Sequence, residues 1–264
     1  MSRVDGVLDW DLLLGFAAGL AISIVTAPAG VSGAVFLLPV QLSVLHVPNP
    51  AVTPTNLLYN VIAGPGALAR YARAGSLRSP LAGLLIAGTL PGVVIGAAVR
   101  VHLVADADLF RLCAAAVLGP LGVWLLLPRR ERARARTGLR RNTILALAFA
   151  AGCVGGVYGI GGGSLLSPVL VGVGLSVAAV APAALLSTFA TSIAGCLAYV
   201  ALSLTAPGDI APDWTLGIAC GLGGLVGGYA GAALQPRLPE RLLRRLLGTL
   251  AIALAALYTA QSLT

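Results

Sequence analysis

The sequence contains no lysine and few charged residues of any kind. Only 10% of its 264 residues are charged and 5% are aromatic, whereas about a quarter of a soluble domain is charged. Hydrophobic residues make up 58% of the chain, and the mean hydropathy is +0.95. A chain this apolar cannot cover a surface that faces water. The composition excludes a soluble enzyme, a disordered protein and a disulfide-stapled secreted module, and it predicts an integral membrane protein.

Residues that hold metals or perform catalysis are also scarce. There are two histidines and four cysteines, and the cysteines lie inside apolar segments without CxxC or metal-ligand spacing. We interpret the cysteines as small packing residues. The sequence predicts no metal site, no cofactor and no catalytic residue, so we expect a protein that is not an enzyme.

The positive charge is concentrated in three loops. The formal net charge is +8, and most of it comes from seven arginines in 129–141. Smaller arginine groups fall in 70–78 and 237–245, whereas the loops between them and the N-terminal tail are neutral or acidic. Placing the three loops in the cytoplasm, with both termini outside, satisfies the positive-inside rule. Because these arginines lie between apolar spans, they do not indicate nucleic-acid binding, and we predict no nucleic-acid partner.

Apolar segments alternate with these loops along the whole chain. They cover 11–27, 33–47, 51–72, 79–99, 109–128, 142–158, 163–175, 177–204, 214–234 and 246–263. A full crossing takes roughly 20 residues, so 33–47 and 163–175 are short, and the sequence leaves open whether they span or re-enter. It predicts an all-α polytopic membrane helix bundle of about 8–10 membrane segments.

The two halves of the chain resemble each other. Each has a Gly-rich or Pro-containing break before its short segment, and Gly33 and Pro39 align with Gly162 and Pro168. Each half holds an odd number of crossings, so the second copy is expected to be inverted in the membrane. The predicted regions are a first repeat over 1–128, an Arg-rich cytoplasmic linker over 129–141 and a second repeat over 142–264.

Each break predicts a broken or re-entrant helix that begins inside the membrane. The first amides of such a helix lack partners and carry the positive end of its dipole, so they attract an anion. Inverted symmetry would bring both N-termini together near the midplane. In the next segment, Asn56 and Asn60 share a helix face and would add donors. The predicted anion-binding residues are Gly30, Ser32, Gly33, Asn56, Asn60, Gly161, Gly162, Gly163, Ser164 and Thr188.

Close helix packing is the alternative interpretation of the glycines. We favour it for Gly15 and Gly19, for Gly92 and Gly96, and for the glycines of 223–231. The middle of each predicted span holds no Asp, Glu, Arg or His. Coupling to protons or cations, which usually needs an intramembrane carboxylate, is therefore not evident.

Two strings resemble the sulfite exporter TauE/SafE family, also called the TSUP permeases. They are SVLHVPNPAVTPTNLLYNVIAGPGALARYARAG (43–75) and GIGGGSLLSPVL (159–170), and the resemblance extends over 12–262. It implies a carrier in a bacterial cytoplasmic membrane that exports sulfite, an organosulfonate or a related sulfur-containing anion. Its partners would be this anion and the lipid bilayer.

The resemblance also implies which residues meet the substrate, namely 161–164 together with Ser32, Gly33 and Asn56. The chain departs from the family pattern at the first break, which reads TAPAGVSG instead of a Gly triplet. It departs again at 182–184, which reads Pro-Ala-Ala where Gly-Thr-Ser is common. We therefore expect an asymmetric site.

Other functions stay open at this point. The GxSG string at 30–33 would suit an intramembrane serine protease, but His46 and His102 fall at the outer ends of predicted spans, so Ser32 would lack a base. A channel, a structural membrane subunit, or a carrier that takes up another small anion also fits the pattern. The sequence does not indicate the oligomeric state.

Overall fold

The protein is a bundle of α-helices. The computed structural model describes residues 5–48, 51–77, 79–102, 140–205 and 210–262, with scattered positions in 112–127. In this part of the chain no strand occurs, and the α-helices are α1 Asp5–Thr26, α2 Ala34–Ser43, α3 Val52–Arg73, α4 Pro80–His102, α5 Arg141–Tyr158, α6 Gly162–Gly172, α7 Val177–Ser203, α8 Trp214–Leu234 and α9 Glu240–Ser262. The predicted all-α class is confirmed. The predicted segment 109–128 and the linker 129–141 fall largely outside the described residues.

Six helices are long and apolar enough to cross a membrane. These candidate spans are Trp10–Ala29, Pro80–His102, Arg141–Tyr158, Val177–Ser203, Trp214–Arg237 and Arg241–Ala260. By contrast, α2 and α6 have 10 and 11 residues. At about 1.5 Å per residue they cover roughly half of the hydrocarbon core. The protein is therefore a multi-pass membrane protein with two short helices inside the bundle.

Two helix pairs pack backbone to backbone through glycine. Between α1 and α8, a Cβ atom at Gly19 or Gly227 would collide with a carbonyl oxygen of the facing helix. Between α4 and α5, the same is true of Gly96 and Gly156. The packing interpretation is confirmed for Gly19, Gly96 and four of the 223–231 glycines, because only a residue without a side chain permits this approach. These four are Gly223, Gly224, Gly227 and Gly231.

Contacts along the helix pairs give the direction of each helix. In the α1/α8 pair, Gly15 faces Cys220 and Gly231 faces Ile24, so these helices run in parallel. Helix α3 runs the same way as α8. At the start of α3 the Thr55 hydroxyl accepts a hydrogen bond from the Asp213 amide (2.8 Å), and at its end Arg73 donates to the Tyr229 hydroxyl (2.7 Å).

Helices α4, α5 and α7 are parallel to one another. Gly88 of α4 faces Ala148 of α5, and Gly96 faces Gly156. Thr89 of α4 contacts Ser187 of α7. Val93 lies one turn further along α4, and a Cβ placed at Gly195, further along α7, would meet it. The described arginines at the end of α3, the start of α5 and the end of α8 consequently lie on one side of the bundle. We call this side the arginine face, and it carries Arg70, Arg73, Arg140, Arg141 and Arg237. The arrangement agrees with the predicted orientation of the loops.

Arg100 lies inside a helix, although it follows the apolar segment that is predicted to end at 99. It lies in the last turn of α4, and its side chain is only 7% exposed. The helix extends past the apolar stretch that ends at 99, and the bundle covers Arg100, so that its charge does not have to face lipid.

Candidate functional site

Both chain breaks occur where glycine adopts a left-handed backbone. After α1, a short 3-10 helix over Ala27–Ala29 ends at Gly30, which has φ +74°. After α5, Gly159 and Gly161 both have φ +69°. A residue with a Cβ is strained in this conformation. The glycines therefore allow the chain to reverse inside the bundle and to start the short helices α2 and α6.

The two breaks contact each other directly. The Ser32 amide donates to Ser164 Oγ (3.2 Å), and Ser167 Oγ donates to the Ala29 carbonyl (2.8 Å). These side chains are buried, with Ser164 2% exposed and Ser167 fully covered. The N-terminal ends of α2 and α6 consequently meet in the interior of the protein.

Two asparagines of α3 hold the first break. Asn56 Nδ2 donates to the Ala34 carbonyl in the first turn of α2 (2.9 Å). Ser32 Oγ donates to Asn60 Oδ1 and accepts a hydrogen bond from the Ala34 amide (3.1 Å). The predicted pairing of Asn56 and Asn60 on one helix face brings both amides to the start of α2.

A small cavity of about 30 Å³ opens beside the first break. Its polar lining comes from α1, the break, α3 and α7, and consists of Ser23, Thr26, Ser32, Tyr59, Asn60 and Thr188. Asn60 Nδ2 and Thr26 Oγ1 have no hydrogen-bond partner within the described structure. None of the described residues that line the cavity is charged. The cavity therefore offers neutral donors next to the N-terminus of α2.

The cavity extends toward the arginine face. Along α3 its lining runs from Tyr59 to Ala67, one turn before Tyr71. At the other end the Tyr59 hydroxyl and Ser23 Oγ form a hydrogen bond of 2.6 Å, and Tyr59 is 1% exposed. The lining therefore extends from the Tyr59–Ser23 hydrogen bond toward the arginine face.

The second break is tightly packed. A Cβ at Gly161 would lie 2.6 Å from Thr188 Cγ2, one at Gly162 would lie 2.8 Å from Thr89 Cγ2, and one at Gly163 would collide with the Ala184 carbonyl. Ser164 Oγ donates to the Ile160 carbonyl (3.1 Å) and bonds Thr188 Oγ1 (3.3 Å). The Gly triplet thus lets α6 pack closely against α4 and α7.

The structure separates the predicted site residues into two groups. Ser32, Gly33, Asn60 and Thr188 line the cavity. The remainder pack around it without lining it, and they are Gly30, Asn56, Gly161, Gly162, Gly163 and Ser164.

Three polar residues of the lining were not among the predicted site residues, namely Ser23, Thr26 and Tyr59. A signal for two of them was present, since Ser23 and Thr26 are three residues apart on one face of α1, directly before the break. Tyr59 lies in the polar string of α3 beside Asn60, yet its contact with Ser23 depends on how α1 and α3 pack.

The architecture defines a class of protein. Membrane-spanning helices surround two short helices whose N-termini meet beside a polar cavity, and transporters of small solutes are built in this way. The family model described as Sulfite exporter TauE/SafE matches residues 15–258. The chain belongs to this family of transporters. A search of curated proteins finds no match, and a search of solved structures finds none either.

Proposed function

We propose that the protein exports sulfite, an organosulfonate or a related sulfur-containing anion across a bacterial cytoplasmic membrane. The observation that supports this function best is the pair of unpartnered donors in the cavity, Asn60 Nδ2 and Thr26 Oγ1. A buried polar group without a partner costs about 1–3 kcal/mol. An oxyanion has several acceptor oxygens and would satisfy both donors at once.

The electrostatics of the cavity suit a small anion that must also leave. The N-terminus of α2 contributes roughly half a positive charge, and the Thr188 hydroxyl is a further donor. Without a fixed cation in the described lining, binding is moderate and release is fast. A membrane potential that is negative inside drives a monovalent anion outward by about 2.3 kcal/mol per 100 mV.

The proposal includes two inverted repeats. Tyr71 and Tyr199 occupy equivalent positions in the two halves, and each bonds the equivalent carbonyl. Tyr71 OH donates to the Ala27 carbonyl (3.2 Å), and Tyr199 OH donates to the Gly156 carbonyl (2.8 Å). The left-handed Gly30 corresponds to the left-handed Gly159 in the same alignment. These matches support a duplicated unit in which α2 leads away from the arginine face and α6 leads toward it.

The second break completes the transport cycle in this proposal. In this proposal the cavity beside the first break takes up the anion from the arginine face, and export needs a second state in which the packing at 161–163 loosens and the cavity opens to the other face. The predicted residues that do not line the cavity act in this second state. Ser164 and Thr188, which share a hydrogen bond, take part in both states.

Efflux from proteoliposomes tests the function. Vesicles are loaded with sulfite, sulfoacetate, taurine or chloride, and efflux is followed under an imposed potential. Saturable efflux of one sulfur oxyanion that depends on the potential alone is expected. Unsaturable chloride efflux would favour a channel, efflux of a different anion would reassign the substrate, and no efflux of any sulfur anion would contradict the proposal.

A further inference from the structure

Two arginines lie on one side of the end of α8, at the arginine face. Arg73 is the last residue of α3, and its Nη1 donates to the Tyr229 hydroxyl of α8 (2.7 Å). Arg237 follows α8 in a short 3-10 turn, and its Nη1 donates to the Ala233 carbonyl (2.9 Å). Because Tyr229, Ala233 and Arg237 are spaced by four residues, they share one face of the helix end. The two guanidinium groups therefore add their positive charges at the same place.

Both guanidinium groups are held by neutral oxygens and keep donors to spare. The Arg73 group is anchored on the Tyr229 side chain, whose ring centre is 5.6 Å from its carbon atom. Within the described residues the bonds of Arg73 and Arg237 go to a hydroxyl and a carbonyl, and no carboxylate pairs with either. Both side chains are exposed. Since a guanidinium has more N–H donors than one such bond uses, the remaining donors are available to an anion.

Exposed apolar side chains lead along both helices to these arginines. On α8, Leu222 and Val226 are 48% and 51% exposed and lie on the helix face that continues to Arg237. On α3, Pro65 and Ala69 are exposed and precede Arg73 at the same four-residue spacing. Because both helices belong to a membrane bundle, exposed apolar side chains along them face the acyl chains of the bilayer.

The arginines lie where the apolar part of the bilayer ends. Arg237 is the last residue of the candidate span Trp214–Arg237. Tyrosine is typical of the boundary between acyl chains and headgroups, and Tyr229 holds Arg73 there. Phosphate groups of phospholipids occupy this level, and pockets of basic residues between membrane helices bind anionic headgroups.

We propose that the ends of α3 and α8 form a binding site for an anionic phospholipid. The headgroup phosphate accepts hydrogen bonds from Arg73 and is attracted by Arg237, while an acyl chain lies along the exposed apolar side chains of the two helices. Tyr229 is a positioning residue, because its hydroxyl orients the Arg73 guanidinium. None of these residues lines the cavity beside the first break, so the inference is independent of the proposed function.

Native mass spectrometry of the full chain, purified in a neutral detergent, tests the site. The protein is incubated with equal amounts of phosphatidylglycerol and phosphatidylcholine, and the retained lipid is identified. The wild type should retain phosphatidylglycerol. The double variant Arg73→Gln, Arg237→Gln should bind it about tenfold more weakly, as expected for lost hydrogen bonds between charged groups. Tyr229→Phe, which keeps both arginines, should show a smaller loss.

The matched control removes the same charge elsewhere on the arginine face. Arg140 and Arg141 are exposed at the start of α5, and the double variant Arg140→Gln, Arg141→Gln should retain phosphatidylglycerol as the wild type does. An equal loss in this control would show a general effect of positive charge and overturn the site.

Three further outcomes would also overturn it. They are equal retention of the two lipids by the wild type, wild-type affinity in both Tyr229→Phe and the Arg73/Arg237 double variant, and displacement of phosphatidylglycerol by an equal concentration of inorganic phosphate. The last result would indicate a site for a free anion, because an acyl chain along α3 and α8 gives the lipid an advantage that phosphate lacks.

Discussion

The Ser32 amide and Ser164 Oγ are joined by a hydrogen bond of 3.2 Å, although 132 residues separate them in the chain. The same oxygen donates to the Ile160 carbonyl and contacts Thr188 Oγ1. One hydroxyl thus connects the start of α2, the break before α6 and the polar face of α7. The two halves of the protein meet at this atom, directly beside the cavity.

Ser164→Ala should destabilise the protein. The substitution leaves the buried Ser32 amide without an acceptor, which costs about 1–3 kcal/mol. Thermal unfolding in detergent measures the effect as a lower melting temperature. Ser203→Ala is the control, because the bond that Ser203 makes within the described residues goes to the Val200 carbonyl of its own helix, and this variant should melt close to the wild type. Equal melting temperatures of the two variants would show that the hydrogen bond between the two breaks contributes little to stability.

Asn60→Leu should weaken anion binding and also lower the melting temperature. It removes the Oδ1 acceptor of the Ser32 hydroxyl, which costs stability. It also removes the Nδ2 donor, which has no partner within the described residues, and that loss appears when the anion is bound, at about 1–3 kcal/mol. Calorimetric titration with sulfite measures the change in Kd. An unchanged Kd would remove Asn60 from the site.

Asn56→Leu should act on anion binding through the position of α2. Asn56 Nδ2 is already engaged with the Ala34 carbonyl (2.9 Å), so the substitution frees the start of α2 and lowers the melting temperature. Affinity for the anion should fall as well, because α2 no longer holds its position at the cavity. If affinity falls with an unchanged melting temperature, Asn56 contacts the anion directly.

Gly162→Val should impair folding. From the sequence alone, this change is expected to abolish binding in a folded protein. The structure changes that expectation, because a Cβ at Gly162 would lie 2.8 Å from Thr89 Cγ2 and 2.9 Å from the Gly152 backbone. We expect a poor yield of folded protein, measured by size-exclusion chromatography. Gly83→Val in α4 is the control, since a Cβ there meets no atom within 4 Å. A monodisperse Gly162→Val that fails only to bind would support the sequence-based interpretation instead.

The large-scale organisation was predictable from the sequence. Apolar length and arginine placement indicate the spans and their orientation, and the Pro39 and Pro168 segments indicate the two short helices. These features depend on composition and local chain geometry, which a sequence displays directly.

The details of the site were not predictable, because they depend on distances between helices. Gly161, Gly162 and Gly163 have the composition of an anion-binding loop, yet in this conformation Thr89, Ala184 and Thr188 fill the space around them. The contact between Tyr59 and Ser23 likewise depends on the packing of α1 against α3. No sequence pattern indicates which of two similar breaks lies beside a cavity.

The most direct test of the account is the location of a bound oxyanion. Selenite has the pyramidal shape and acceptor oxygens of sulfite, and selenium is visible by anomalous diffraction. The account expects a single strong peak in the cavity within hydrogen-bonding distance of Asn60 Nδ2 and Thr26 Oγ1. A peak elsewhere in the bundle, or none at a selenite concentration that blocks sulfite efflux, would contradict it.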